Sequence, residues 1–245
     1  MTSQDYQFTP STPEEKRICH LLEEANICIQ SYRGLDALPI LQEALSIIET
    51  NDIHWILQFA VLRDMGRAHL QIGNKQEGLD FQIQAFETCQ DPNVKASSAA
   101  LIADEYLRLG NIELALTYSQ KSLDCAPTSL DLMSKPYQVM GGVAALHKDF
   151  VRAIKLLNQA AEYAEQSHCL TDLAMIIMDL SAVFTHLGKP ETALSEIYRA
   201  ERYVKESHNL DLYTRCAIRR ASILYQLGRD EEAKMVILGL DEQKC

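Results

Sequence analysis

The segment that decides the fold runs from Ala100 to Pro127 and reads ALIADEYLRLGNIELALTYSQKSLDCAP. Its apolar residues recur at the three- and four-residue spacing of a helix rather than in the alternation of a strand. Gly110 stands where a left-handed residue would end one helix, and Asn111 can cap the helix that follows. The segment therefore predicts two helices joined by a tight turn.

The same turn recurs along the chain. A glycine stands five residues before a small residue in four places, and Lys148 occupies the equivalent position with the glycine missing. We take the small residues as anchors and add Ala37 at the front, which gives intervals of 37 to 41 residues. The turn glycines are Gly73, Gly110, Gly188 and Gly228, and the anchors are Ala37, Gly78, Ala115, Ala153, Ala193 and Ala233.

Two further positions of the repeat carry small residues, with Leu240 of the sixth repeat as the exception. Twelve residues before the anchors stand Ala25, Gly66, Ala103, Gly141, Ser181 and Ala221, and seven residues after them stand Ala44, Ala85, Ser122, Ala160, Ala200 and Leu240. Helices whose backbones cross closely need small side chains at the crossing point. The pattern therefore predicts six helical hairpins, with bounds near 14–50, 52–90, 93–126, 128–167, 170–208 and 210–243.

The third repeat resembles the tetratricopeptide family. The family's pattern of apolar, small, aromatic, glycine, alanine, small and closing proline falls on Ile102, Ala103, Tyr106, Gly110, Ala115, Ser122 and Pro127. The sequence departs from it at Ala99 and Ser119, and its repeats exceed the family's 34 residues, as in kinesin light chains and Rap-type regulators. The resemblance implies an all-α fold, a right-handed α-solenoid of six repeats in one domain at 14–245, preceded by a flexible arm at 1–13.

The resemblance also implies a concave groove, lined by the first helix of each hairpin, that holds a peptide. The family's inward-facing positions fall here on mostly polar residues, which we take as candidate binding residues. They are Asn26, Gln30, Arg63, Arg67, Gln71, Asp104, Arg108, Lys135, Gln138, Asp179, Arg215 and Arg219, with Glu23, Asp64, Gly142, Met175, Met178, His186 and Ser222 at further inward-facing positions.

The groove arginines leave two interpretations open. A guanidinium group matches a carboxylate in two parallel hydrogen bonds, so Arg63, Arg67, Arg215 and Arg219 could bind an acidic ligand or a C-terminal carboxylate. Alternatively, these side chains neutralise neighbours such as Asp64, because charged side chains on a helix face usually pair locally. The five-residue carboxylate clamp of the family's chaperone-binding members is not retained.

Composition and motifs exclude several classes of function. The net charge of −11 argues against a nucleic-acid partner, which requires a basic surface. The seven cysteines are scattered singly, which favours a reducing compartment, and no apolar stretch is long enough to span a membrane. No histidine pair has metal-binding spacing and no phosphate-binding loop occurs. We therefore expect a cytoplasmic protein without cofactor, metal or catalytic residues.

The sequence favours an interaction scaffold or adaptor that binds a partner protein segment or peptide in its groove. The alternative is a sensory module that binds a signalling peptide or small ligand and relays a change of shape to a partner. The apolar residues near the end, from Met235 to Leu240, lack a polar capping helix. Three explanations stay open: a homodimer contact, which we favour, a covering partner, or a small exposed face.

Overall fold

The computed structural model describes residues 8–125 and 129–242, and within these ranges the chain forms twelve helices and no strand. The helices are α1 Pro13–Gln30, α2 Gly34–Thr50, α3 Trp55–Gln71, α4 Lys75–Thr88, α5 Pro92–Arg108, α6 Ile112–Asp124, α7 Asp131–Leu146, α8 Phe150–Gln166, α9 Leu170–His186, α10 Pro190–Ser207, α11 Leu210–Gln226 and α12 Asp230–Glu242. Taken in pairs they coincide with the six predicted hairpins, so the all-α repeat fold is confirmed.

The helices form two compact units, one up to Glu105 and one from Tyr106 onward. In the first unit, α1 packs on α2 and α3 packs on both α2 and α4. In the second, each helix from α7 to α12 packs on the next, and the first helices of successive hairpins also meet, α7 with α9 and α9 with α11. The single domain at 14–245 stays a prediction.

The predicted crossing points lie where two backbones approach closely. In the second hairpin, a Cβ added to Gly66 would lie 2.8 Å from the carbonyl oxygen of Gly78, and a Cβ added to Gly78 would lie 3.0 Å from that of Gly66. In the fourth, a Cβ on Gly141 would meet Leu157 at 2.8 Å. A larger residue would force the helices apart, so these glycines set the packing distance of their hairpins.

The turns between the paired helices use left-handed backbone, as the glycines predicted. Gly110 has φ +76°, and Lys148, at the same turn position without a glycine, has φ 60°. Tyr32 takes φ 55° at the turn between α1 and α2. Tyr32 stands five residues before the anchor Ala37, which is the spacing of the turn glycines, although an aromatic residue rarely adopts left-handed backbone.

Proline fits the first turn of a helix, so Pro136 predicts the start of the first helix in the hairpin at 128–167, and the structure corrects this prediction. The helix begins one turn earlier, at Asp131, and Pro136 lies inside it. Ser134 and Pro136 are both buried, so packing in the extra turn offsets the hydrogen bond that proline cannot donate. Gly142 in the same helix leaves room for Leu107, whose Cδ2 would lie 2.9 Å from an added Cβ. It therefore serves helix packing rather than the close approach of a ligand.

The start of α1 is stabilised by a capping box formed by Thr12 and Glu15. Thr12 accepts a hydrogen bond from the Glu15 backbone N–H at 3.1 Å, and Glu15 Oε2 accepts bonds from the Ser11 backbone N–H at 2.7 Å and its hydroxyl at 2.9 Å. Just before the cap, Phe8 packs on the core of the first unit, with its ring centroid 4.9 Å from that of His54. Most of the predicted flexible arm, including Tyr6, lies outside the described residues, as does the closing Pro127.

No helix in the described ranges is long and apolar enough to cross a membrane.

Candidate functional site: the cleft between α9 and α11

The arginines predicted to bind a ligand in the first unit are directed at a carboxylate of their own helix. The Asp64 side chain is only 3% exposed, and its Oδ1 lies 2.9 Å from Arg63 Nε and 3.3 Å from Arg67 Nη1. Gln82 on α4 donates to the Arg63 carbonyl at 2.9 Å, and the Arg63 guanidinium lies over the Phe59 ring. This is the local pairing that the sequence left open as an alternative.

The other candidate residues of α1 and α3 are held by hydrogen bonds within the first unit. Gln30 donates to Asn26 at 3.4 Å along α1. Gln71 on α3 donates to the Ile29 carbonyl at 2.8 Å and so joins α3 to α1. Both glutamine side chains thus have structural roles of their own.

The candidate residues of α5 lie on either side of the division between the units. Asp104 belongs to the first unit and is half-buried, whereas Arg108 belongs to the second and is exposed.

In the second unit, a polar chain joins α7 to α9. Lys135 Nζ donates to Gln138 Oε1 at 3.3 Å, and Gln138 Nε2 donates to Asp179 Oδ2 at 2.6 Å. All three residues were predicted to face the groove, and the structure brings them together. Because the charge of Lys135 and that of Asp179 meet through Gln138, this part of the surface is already internally satisfied.

The neighbouring part of the second unit is an open cleft between α9 and α11, with a volume of about 400 Å³. Pockets of roughly 300–1,000 Å³ are the size that binds small ligands and short segments. Helix α9 contributes side chains one turn apart, and α11 contributes residues at i, i+3, i+4 and i+7 of one face. The lining residues are Met178, Ala182, Thr185, His186, Arg215, Ile218, Arg219, Ser222 and Ile223.

The positive charges of Arg215 and Arg219 are only weakly neutralised by acidic side chains of the described residues. Arg215 has one acidic neighbour, Asp211, at 4.0 Å, the limit of an ion pair, and both side chains are more than half exposed. Arg219 forms no hydrogen bond or ion pair with any residue in the described part of the chain. The cleft therefore combines positive charge with an apolar floor, in a chain whose net charge is −11.

Arg220, the third arginine of α11, has an acidic partner on the neighbouring helix. Arg220 Nη1 lies 2.7 Å from Glu201 Oε1 on α10, and the Glu201 side chain is only 11% exposed. Burial raises the pKa of Glu201, although Arg220 acts in the opposite direction. Burial, with Glu201 adding to it, also raises the pKa of the nearby Cys216 thiol to about 12. Arg220 is thus paired with a buried carboxylate of the chain, whereas Arg219 lines the cleft.

Four cleft residues were missed by the sequence interpretation: Ala182, Thr185, Ile218 and Ile223. The signal for Ile218 was available, because it lies one turn from Arg215 on the same face of a helix. Thr185 donates its hydroxyl to the Ser181 carbonyl at 2.9 Å, so its oxygen can still accept a hydrogen bond from a ligand. Among the described residues, no group of His, Cys, Asp or Glu is arranged to hold a metal ion.

Comparison with known proteins agrees with this architecture. Residues 96–129, which overlap most of the predicted third hairpin at 93–126, match the family profile described as tetratricopeptide repeat. Among curated protein sequences, none matches the chain.

Solved structures share the fold at low sequence identity. A Rap protein in complex with competence and sporulation factor is 14% identical, with a TM-score of 0.69, and the match covers 94% of this chain and 76% of that one. A STAND protein with a tetratricopeptide-repeat sensor from Pyrococcus horikoshii is 18% identical over 95% of this chain and 37% of its own, with a TM-score of 0.73. A putative kinesin light chain from Podospora anserina is 14% identical over 82% and 99%, with a TM-score of 0.63.

Proposed function

We propose that this chain, which matches the tetratricopeptide-repeat profile at residues 96–129 and shares the fold of a putative kinesin light chain, is a non-enzymatic scaffold that binds a segment of a partner protein in the cleft between α9 and α11. The observation that carries the proposal is the combination of an apolar floor with an arginine, Arg219, that has no partner in the described part of the chain. Specific binding sites join apolar surface to a few polar groups that orient the ligand. The cleft has both.

The architecture of the fold supports binding rather than catalysis. A catalytic site would gather ionisable groups with strongly shifted pKa values. The raised pKa values of Glu201 and Cys216 instead belong to an internal ion pair and its buried neighbour, and neither residue lines the cleft. A Rap conjugation gene regulator of similar fold has a solved structure in complex with the Phr* peptide. A peptide-like ligand therefore suits this fold.

A sensory module is the second candidate. The similarity to a tetratricopeptide-repeat sensor and to Rap regulators favours it, although both similarities are of fold alone. The two functions differ in what binding does to the chain. A sensor is expected to change its radius of gyration when its ligand binds, whereas an adaptor keeps the same scattering profile apart from the added mass. Small-angle scattering of the protein with and without its cross-linked ligand distinguishes the two.

We further propose that the protein works in the cytoplasm, without nucleic acid or cofactor, and forms a homodimer through α12. That helix exposes Met235 to 68% and Leu238 to 57%, and exposed apolar groups of this size often mark contacts with another chain. Replacing both residues with lysine is expected to convert a dimer into a monomer in sedimentation analysis. A monomer before the substitution would contradict the proposed dimer without affecting the cleft.

Site-specific photo-cross-linking tests the proposed function. A benzophenone amino acid placed at Ser222, inside the cleft, is expected to attach a defined partner segment in extracts of the native cell, identified by mass spectrometry as the same peptide in repeated captures. The matched control carries the benzophenone at Glu206, which is exposed on α10 outside the cleft. A second control places the benzophenone at His186, on the other side of the cleft, in proteins with and without Ser222→Tyr. The tyrosine should fill the cleft and reduce the cross-linked product at His186. Equal products at Ser222 and Glu206 would refute the cleft as the binding site.

A further inference from the structure

We infer that the segment bound between α9 and α11 is acidic, with a carboxylate side chain next to an apolar one, and that Arg219 and Arg215 receive the carboxylate. This inference rests on the proposed function, since it specifies the ligand of the same cleft.

The arginines of α11 are unequally paired with acidic side chains. Two successive arginines, Arg219 and Arg220, stand on this helix. Within the described residues a buried carboxylate pairs with only one of them, since Glu201 lies 2.7 Å from Arg220. Arg219 has no acceptor in the described part of the chain, and the nearest acid to Arg215 is the exposed Asp211 at 4.0 Å. A ligand that covered these guanidinium groups without neutralising them would remove their hydration and leave charged donors unsatisfied. A carboxylate avoids that cost because it accepts two parallel hydrogen bonds from one guanidinium.

An apolar surface lies beside Arg215 and Arg219 in the cleft. Ile218 lies on the same face of α11 and is 53% exposed, which is high for a large apolar residue in an open cleft. Met178 on α9 and Ile223 on α11, only 3% and 1% exposed, form the floor beside it. Covering Ile218 is favourable at roughly 25 cal/mol for each Å² of apolar surface removed from water. The residue adjacent to the ligand's carboxylate should therefore be apolar.

The arginines of the first unit, unlike Arg219, have an acidic partner within the chain. Arg63 and Arg67 contact Asp64, a carboxylate whose side chain is 3% exposed. Their acceptor is thus already supplied within α3, and a second carboxylate would be repelled by the first. Two sets of arginines that look alike in sequence therefore differ in the chemistry left open to a ligand.

The negative charge of the whole chain does not oppose this assignment. At physiological ionic strength, charges more than about 8 Å apart are largely screened. The local field of the cleft, set by Arg215 and Arg219, therefore decides which ligand charge is accepted, while the distant acidic groups mainly slow association.

Peptide arrays test the inference with defined probes. Seven-residue peptides carry a fixed central pair, Leu-Glu, Leu-Gln, Leu-Lys or Ser-Glu, within mixed neutral flanks and with both ends capped, and the fluorescently labelled full chain is applied to them. We expect Leu-Glu peptides to bind at least about tenfold more tightly than Leu-Gln peptides, the usual scale for one charged hydrogen bond. Ser-Glu peptides should also bind more weakly than Leu-Glu peptides, because they leave Ile218 uncovered.

Three variants identify the side chains responsible. Arg219→Gln should remove the preference for glutamate, and a double variant with Arg215→Glu and Arg219→Glu should reverse it in favour of Leu-Lys peptides. Arg202→Gln is the matched control, because Arg202 is exposed on α10 and does not line the cleft; it should keep the preference. Far-UV circular dichroism verifies that each variant retains the helical content of the parent.

The outcomes separate this inference from the proposed function. Equal binding of Leu-Glu and Leu-Gln peptides, a preference that survives the Arg215 and Arg219 substitutions, or no binding of Leu-Glu peptides at about 1 mM would each overturn the acidic ligand. The cross-linking at Ser222 could still succeed in that case, and the cleft would then bind a neutral segment. Failure of the cross-linking together with failure of the arrays would overturn both.

Discussion

Replacing Gly66 with alanine should destabilise the fold, although alanine is the better helix former. An added Cβ would lie 2.6 Å from Gln82 Nε2 and 2.8 Å from the Gly78 carbonyl oxygen, both well inside the 3.4 Å of ordinary contact. The Gly78 carbonyl belongs to the backbone of α4, so the two helices must separate. Gln82 is buried and donates to the Arg63 carbonyl at 2.9 Å, and that bond would be strained as well.

The magnitude follows from three contributions. Overpacking of a tight contact costs about 1–3 kcal/mol, and the hydrogen bond of Gln82 contributes about 1 kcal/mol. Alanine in a helix interior returns about 1 kcal/mol relative to glycine. The free energy of unfolding of Gly66→Ala should therefore fall by about 2 kcal/mol.

Gly239→Ala is the matched control because the chemical change is identical and the surroundings are open. Gly239 lies within α12, and an added Cβ would meet no atom within 4 Å. Here only the helix preference acts, so the free energy of unfolding should rise by up to about 1 kcal/mol.

Urea unfolding followed by far-UV circular dichroism measures both variants. With a slope of about 2 kcal/mol per molar urea, a loss of 2 kcal/mol moves the unfolding midpoint down by about 1 M. The two variants should shift the midpoint in opposite directions. A Gly66→Ala variant as stable as the parent would show that the helices of the second hairpin do not cross as closely as the structure requires.

Three further predictions concern individual interactions. Asp64→Ala should lower the free energy of unfolding by about 3 kcal/mol in the same assay, because it leaves Arg63 and Arg67 without their buried acceptor; a change below the error of the fit would contradict the pairing. Glu15→Ala should cost about 1 kcal/mol at neutral pH, because it removes the side-chain acceptor of the capping box. The Ser11 backbone N–H holds the pKa of Glu15 below its ordinary 4.5, so this contribution is present above pH 4.5 and lost as the pH falls through the lowered value; a pH series of unfolding midpoints tests it, and a constant difference between variant and parent would contradict it. Lys148→Gly should raise the melting temperature, equivalent to about 0.5–1 kcal/mol, because lysine is strained at φ 60°; a lower melting temperature would contradict that strain.

The fold could be predicted because its requirements repeat along the chain. Ala37 and Ala115 stand at equivalent positions of different hairpins and are both fully buried, since every hairpin must bring two backbones together at that point. The failures were local. Pro136 indicated a helix start because proline fits the first turn, yet the burial of the preceding turn was decided by neighbouring helices that no local rule includes.

The binding surface could be predicted only in part. The helix faces that carry Arg215 and Arg219 follow from the repeat, and the structure places both in one cleft with Ser222. Whether an arginine has an internal partner does not follow from its position in the repeat. Asp64 is a buried side chain of α3 in contact with Arg63 and Arg67, and the burial of a carboxylate depends on tertiary packing as well as on sequence spacing.

One position of the repeat shows how a constant backbone can present opposite chemistry. Fourteen residues before the anchor, the second hairpin has Asp64, the fifth has Asp179 and the sixth has Arg219. Asp64 is contacted by two arginines of its own helix, and Asp179 accepts a hydrogen bond from Gln138 of the preceding hairpin. Arg219 has neither kind of partner in the described part of the chain. Since the crossing residues constrain this position only to face away from the partner helix, the reversal of charge at Arg219 costs the fold little and is free to serve recognition.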